Sequence, residues 1–143
     1  MEVARHNSEP LSDILKKMNK PSDNLIAECL LKTLGAEKSK DRIGSWANGA
    51  TAAKEWFKTI GIDPTGVVME DGCGMSRHDY VTPRSYATML KTMHSHAHAK
   101  VFKESMSIPG VDGTFQFRPI GPTARMTCSP ACTGWRACSI GTR

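Results

Sequence analysis

Among the side chains able to do chemistry, Ser22 and Asn24 come first: a hydroxyl and a carboxamide flanking Asp23 at a predicted helix start. In that arrangement Ser22 could relay a proton and Asn24 could orient a substrate amide, while the helix end favours developing negative charge. The same three residues also make an ordinary helix cap with Ser22 leading, and spacing alone does not separate the two roles. A second cluster, Gly72-Cys73-Gly74-Met75-Ser76, sets a thiol between glycines with Arg77 and His78 next in the chain. A reactive thiolate needs a positive neighbour or a helix N-terminus in space as well as in sequence, so a catalytic Cys73 is disfavoured. In His94-Ser95-His96-Ala97-His98 only His94 and His98 would share a helix face. No glutamate follows His94 as a zinc-protease helix requires, and the segment is expected to be a polar junction between two helices. Ser-x-x-Lys, Lys-Thr-Gly and Gly-x-Ser-x-Gly are all absent. The tail cysteines Cys128, Cys132 and Cys138 do not have the spacing of a structural zinc pair and receive no role; Cys29 is read as a small core residue. No metal site and no cofactor are expected.

These groups need elements to hold them. Leu11, Ile14, Leu15 and Met18 form the apolar stripe of a short amphipathic helix that Lys20-Pro21 should end. The next helix is expected from Ser22, its cap, to Leu34, with Gly35 just past its end. A third should cover about residues 46 to 60 on the spacing of Ala50, Ala53, Phe57 and Ile60. Gly66 to Glu70 reads as a short strand feeding the glycine loop, and Thr82-Pro83 as the start of a fourth helix burying Tyr86, Met89, Leu90 and Met93. A short helix from about Ala99 to Met106 and an alternating strand over residues 114 to 118 complete the pattern. From Gly121 onward no stable period of either kind appears.

With 143 residues, 39% hydrophobic and 23% charged, the chain can form one domain or part of one and should not be disordered throughout. No apolar run approaches the ~18 residues of a membrane span, and the first residues lack a secretory leader. The balance of 19 basic against 14 acidic residues, +5, permits weak attraction to anionic polymers. Without a basic stripe or interleaved aromatics, nucleic acid is not an expected partner. Oligomeric state is not legible.

Several ordered stretches together carry a family resemblance. They are residues 10 to 15, Met18-Asn19-Lys20-Pro21-Ser22-Asp23-Asn24, Ala27-Glu28, Leu31-Lys32-Thr33-Leu34-Gly35, Asp71-Gly72-Cys73-Gly74-Met75-Ser76-Arg77, residues 81 to 84, and Ser107-Ile108-Pro109-Gly110-Val111-Asp112-Gly113-Thr114. In order and separation they resemble the penicillin-binding D-alanyl-D-alanine carboxypeptidases of the class C, low-molecular-mass type. The resemblance implies an α+β, mostly helical fragment of a serine β-lactamase-like fold: a partial peptidase domain over residues 3 to 120 and a divergent or out-of-frame tail over 121 to 143. It implies a serine acyl-transferase acting on peptidoglycan stem peptides, open to β-lactams in the complete enzyme, and a periplasmic or other cell-envelope location. In such enzymes an activated serine attacks the penultimate D-Ala carbonyl and water later hydrolyses the acyl-enzyme. By the same resemblance Ser22 and Asn24 are catalytic, Ser22 passing a proton to the leaving amine and Asn24 holding the substrate peptide, while Asp71 and Arg77 are substrate-binding and Arg77 suits a stem carboxylate. Cys73 stands where that family has serine. The nucleophile's motif would lie upstream, Met1 reading as an internal start, and the Lys-Thr-Gly segment is replaced by the tail. The fragment is therefore expected to be inactive alone, with apolar surface exposed where the missing sheet would pack. The competing expectation is a non-catalytic remnant that binds peptidoglycan or a partner subunit.

Overall fold

A computed structural model describes residues 3 to 117 and, for the backbone alone, two short strands at 125 to 127 and 139 to 141. Helix α1, Leu11–Asn19, packs against α5, Ala99–Ser105, with Asn19 bonded to Ser105 and Lys16 paired with Glu104. Pro21 ends it as expected, and the closure is specific. The Asp23 N–H donates to the Met18 carbonyl at 2.8 Å across Ser22, whose φ is +62°. This is the six-to-one closure of a Schellman-type turn, in which the left-handed residue is usually glycine.

Helix α2, Asn24–Lys38, begins one residue later than its expected cap: Asp23, not Ser22, accepts the Ile26 N–H at 3.0 Å. It also runs past Gly35, which is buried inside the helix instead of ending it. Against α3, Trp46–Thr59, a Cβ on Gly35 would come within 2.6 Å of the Gly49 nitrogen, so the two glycines let the backbones meet. Glycine here serves close approach, which in sequence looks the same as a stop signal. Leu31 and Gly35 define the buried face of α2, and Cys29, about 200° around the helix from Leu31, is exposed; its reading as a core residue is corrected.

After α3 a 3-10 turn at Pro64–Gly66 leads into β1, Val67–Val68, which pairs antiparallel with β2, Tyr80–Val81. Helix α4, Pro83–Ser95, starts on a Thr82 cap whose Oγ1 accepts the Ser85 N–H at 3.1 Å. His96 follows α4 and His98 precedes α5, so the histidine segment is the expected polar junction. The stretch read as a strand over 114 to 118 opens instead as a 3-10 turn, Gly113–Phe115. Its backbone bonds go to the Lys20 carbonyl and back to Gly110, leaving no ladder to form. In the tail, β3, Arg125–Thr127, pairs antiparallel with β4, Ser139–Gly141, where no period was readable. The tail cysteines Cys128, Cys132 and Cys138 lie outside the described residues.

The buried apolar side chains among the described residues are Leu31, Ala50, Ala52, Ile62 and Val67. Beside them lies a cavity of about 220 Å³ walled by Phe57, Ile62, Val67, Val81, Tyr86 and Met89. Val68, Tyr80 and Leu90 are exposed.

Candidate active site

The α1–α2 corner and the glycine loop face each other. Ser22, Asp23 and Asn24 on one side and Gly72 and Cys73 on the other line one cavity of about 170 Å³, with Asn19 and Ala27 at its margin. The side chains of Ser22 and Asn24 make no hydrogen bond to any described residue. A non-glycine residue at positive φ costs on the order of 1 kcal/mol, and glycine would relieve it. Ser22 therefore sits where local backbone preference asks for glycine, with its hydroxyl uncommitted beside the cavity. The bland reading of that serine as a helix cap passes to Asp23.

Glu28, one turn along α2 from Asn24, fixes the opposite wall. Its carboxylate accepts the N–H groups of Gly72 and Cys73, each at 3.2 Å, and the Trp46 indole N–H at 2.5 Å. Partial burial pushes the Glu28 pKa up, but these bonds and one from the Cys73 thiol outweigh it and hold the group below its ordinary 4.5. Lys32 stacks over the Trp46 ring, 3.7 Å from its centroid, and completes the clamp. Gly72 is pressed against α2 so closely that a Cβ would lie 2.6 Å from the Ala27 carbonyl oxygen. Glu28 received no role from the sequence. The signal that points to it is its place four residues after Asn24, on the same helix face.

Asp71 shapes the loop from within. Its carboxylate accepts the N–H groups of Gly74, Met75 and Ser76 at 2.5, 3.1 and 2.6 Å. Its side of the loop lines the apolar cavity and not the one shared by Ser22 and Asn24. Burial raises the Asp71 pKa, but the backbone bonds bring it below the ordinary 3.8, while the neighbouring Asp79 is raised by its own burial and by the Asp71 charge. Asp71 thus acts on the loop's shape through three backbone N–H groups. Arg77 follows the loop, exposed and lining neither cavity. The structure so gathers Ser22 and Asn24 with Gly72 and Cys73 around one cavity that neither Asp71 nor Arg77 lines.

Cys73 keeps its proton. Burial, the Glu28 hydrogen bond and the two nearby carboxylates push its thiol up to about 11, which removes it as a nucleophile near neutral pH. One donor atom each from Glu28, Asp71 and Cys73 lies within 4.8 Å of the others. Both carboxylates accept backbone N–H groups, which ties the cluster into the hydrogen bonding of the loop.

Known proteins resemble the chain over most of its length. The family model described as "D-Ala-D-Ala carboxypeptidase 3 (S13) family" matches residues 1 to 129. The chain belongs to that family. Within the S13 family, the chain is 36% identical over 116 residues to "D-alanyl-D-alanine carboxypeptidase DacB" of Haemophilus influenzae, covering 81% of this chain and 24% of that protein. It is 33% identical over 127 residues to "D-alanyl-D-alanine carboxypeptidase" of Actinomadura sp. strain R39, covering 85% and 23%. Among solved structures it resembles penicillin binding protein 4 (dacB) of H. influenzae complexed with a β-lactam, with TM-score 0.70 and 37% identity over 79% of this chain and 26% of that one. A second structure of that protein gives TM-score 0.67 at the same identity. The mostly helical fold is that of these S13 structures, and the chain spans about a quarter of the length of the curated relatives it matches.

Proposed function

We propose that this S13 segment carries the Ser-x-Asn element of a serine-type D-Ala-D-Ala carboxypeptidase/endopeptidase acting on peptidoglycan stem peptides. Residues 3 to 120 are its share of the peptidase domain and residues 121 to 143 a divergent tail. In the complete domain a serine supplied from outside this segment forms the acyl-enzyme. Ser22 carries a proton toward the leaving D-alanine amine, and Asn24 donates to the carbonyl of the scissile peptide's neighbour. Asp71 contributes by keeping the loop tight, and Arg77 pairs with a carboxylate of the stem. Such an enzyme works in the cell envelope, where stem peptides are, and is acylated by β-lactams. Among the described residues no helix is long and apolar enough to cross a membrane.

The observation that carries this reading is Ser22 itself: a hydroxyl without a hydrogen-bond partner among the described residues, at φ +62°, where glycine would be easier, beside the cavity that Asn24 shares. Without Ser-x-x-Lys and Lys-Thr-Gly the segment alone should not turn over, because the groups that act as a unit are missing. The test places residues 3 to 120 in the corresponding block of the H. influenzae DacB protein and follows acylation by a fluorescent penicillin. Ser22→Ala should slow acylation by about 10²-fold or more, and Asn24→Ala should act in the same direction. The 143-residue chain alone should release no D-alanine from a pentapeptide stem. An isolated chain labelled at Ser22, or a chimera indifferent to Ser22→Ala, would overturn the assignment.

A further inference from the structure

The bend that presents Ser22 is gripped from behind by a second segment, Ser105 to Thr114. The Thr114 N–H donates to the Lys20 carbonyl at 3.0 Å, and the Ser107 hydroxyl reaches the same oxygen at 3.2 Å. The Lys20 ammonium pairs with Asp112, whose other carboxylate oxygen accepts the Ile108 N–H at 2.9 Å. Both partners of that pair are about two-thirds or more shielded, which sets it apart from an ordinary surface ion pair. Next to it the Asn19 amide donates to Ser105 Oγ at 2.9 Å, and that hydroxyl, 1% exposed, donates to the Phe102 carbonyl. Gly113 has φ +65°, and a Cβ there would lie 2.7 Å from the Lys20 carbonyl oxygen, so the approach needs glycine.

All these contacts fall on Asn19 and Lys20, the last residues before Pro21 fixes its own φ and Ser22 turns left-handed. Little freedom remains between the gripped Lys20 carbonyl and the Asp23 N–H tied to Met18. We infer that the Ser105–Thr114 segment, through Asp112 and the Thr114 N–H, is the positioning element for Ser22. It holds Lys20 so that the next turn must be left-handed and the Ser22 hydroxyl stays beside Gly72 and Cys73. The inference rests on the reading of Ser22 as a proton-relaying residue; Asp112 and Thr114 act only through it.

The test uses the full isotope-labelled chain and reads three NMR signals: Ser22 carbon shifts, which report a left-handed backbone, and amide exchange at Asp23 and at Gly49. In Asp112→Ala the Asp23 amide should exchange about tenfold faster and the Ser22 shifts should leave the left-handed range, while Gly49, at the α2–α3 crossing, keeps its protection. Asp112→Glu should restore both, and Gly113→Ala should repeat the Asp112→Ala result. Unchanged Ser22 and Asp23 signals in both Asp112→Ala and Gly113→Ala would sink the inference. Gly49 losing protection together with Asp23 would sink it too, because the segment would then hold up the whole fold and position no single residue. These readouts do not depend on chemistry. A chimera indifferent to Ser22→Ala, with the NMR responses intact, would refute the catalytic reading and leave the positioning of Ser22 standing.

Discussion

The two sides of the glycine loop are built on opposite principles. Toward α2 the loop is closed by polar contacts that the segment carries within itself: Glu28 on Gly72 and Cys73, and Trp46 on Glu28. Toward β1 and α4 the same loop borders an apolar cavity with Val68 and Tyr80 exposed at its edge. Hydrogen bonds of this kind are short-range and directional, so a site wall can be assembled from a few turns of chain. Apolar burial scales with area and needs a second layer to complete it. The α1–α2 corner and its loop can therefore be held by local polar contacts while the β1–α4 side keeps a cavity.

The largest effect should come from breaking the closed side by bulk. Gly72→Ala forces a Cβ against the Ala27 carbonyl, and chemical denaturation should show a loss of about 3 kcal/mol, with the loop driven off α2. Next, Glu28→Gln turns one acceptor into a donor facing backbone N–H groups and should cost about 2 kcal/mol near neutral pH. Its pH dependence sharpens the point. The folded Glu28 pKa lies below 4.5, so its stabilisation is complete above that value and is lost as pH falls through the lowered folded value. Acid unfolding followed by circular dichroism should be shallower in Glu28→Gln than in the parent chain over that range. Ser22→Gly should go the other way and stabilise the chain by about 1 kcal/mol, the relief of a left-handed serine, even as it removes the hydroxyl from the site. The smallest effect belongs to the open side. Val68→Thr should lower the fluorescence of a bound hydrophobic dye while changing stability by less than about 0.5 kcal/mol, because that side chain is not yet packed. A parent chain that binds no such dye would remove the contrast.

Local periodicity and capping chemistry made the positions of α1, α3, α4 and α5 legible but not every buried face: in α4, Tyr86 and Leu90 of the expected stripe are exposed and Ser85 is the buried residue. Pairings distant in sequence were not. Tyr80–Val81 becomes a strand only because Val67–Val68 lies beside it, and β3 meets β4 across unreadable tail sequence. Gly35 looked like a helix end because the need for a small residue against Gly49 leaves the same trace as a C-cap. At the corner, the sequence marks a cap but leaves open whether Ser22 or Asp23 provides it, and the choice depends on a backbone dihedral and on the Ile26 N–H bond to Asp23. Glu28 was hidden because its partners, Gly72 and Cys73, are more than forty residues away.

The left-handed corner also narrows which amino acids can serve at its centre. Threonine offers an equivalent hydroxyl, yet a β-branched side chain at φ +62° is a true steric outlier, whereas glycine and asparagine fit the turn but bring no hydroxyl. Sequence drift at position 22 thus has few routes that keep both the turn and an alcohol: serine can give way to glycine in favour of the scaffold, and threonine cannot stand in for it.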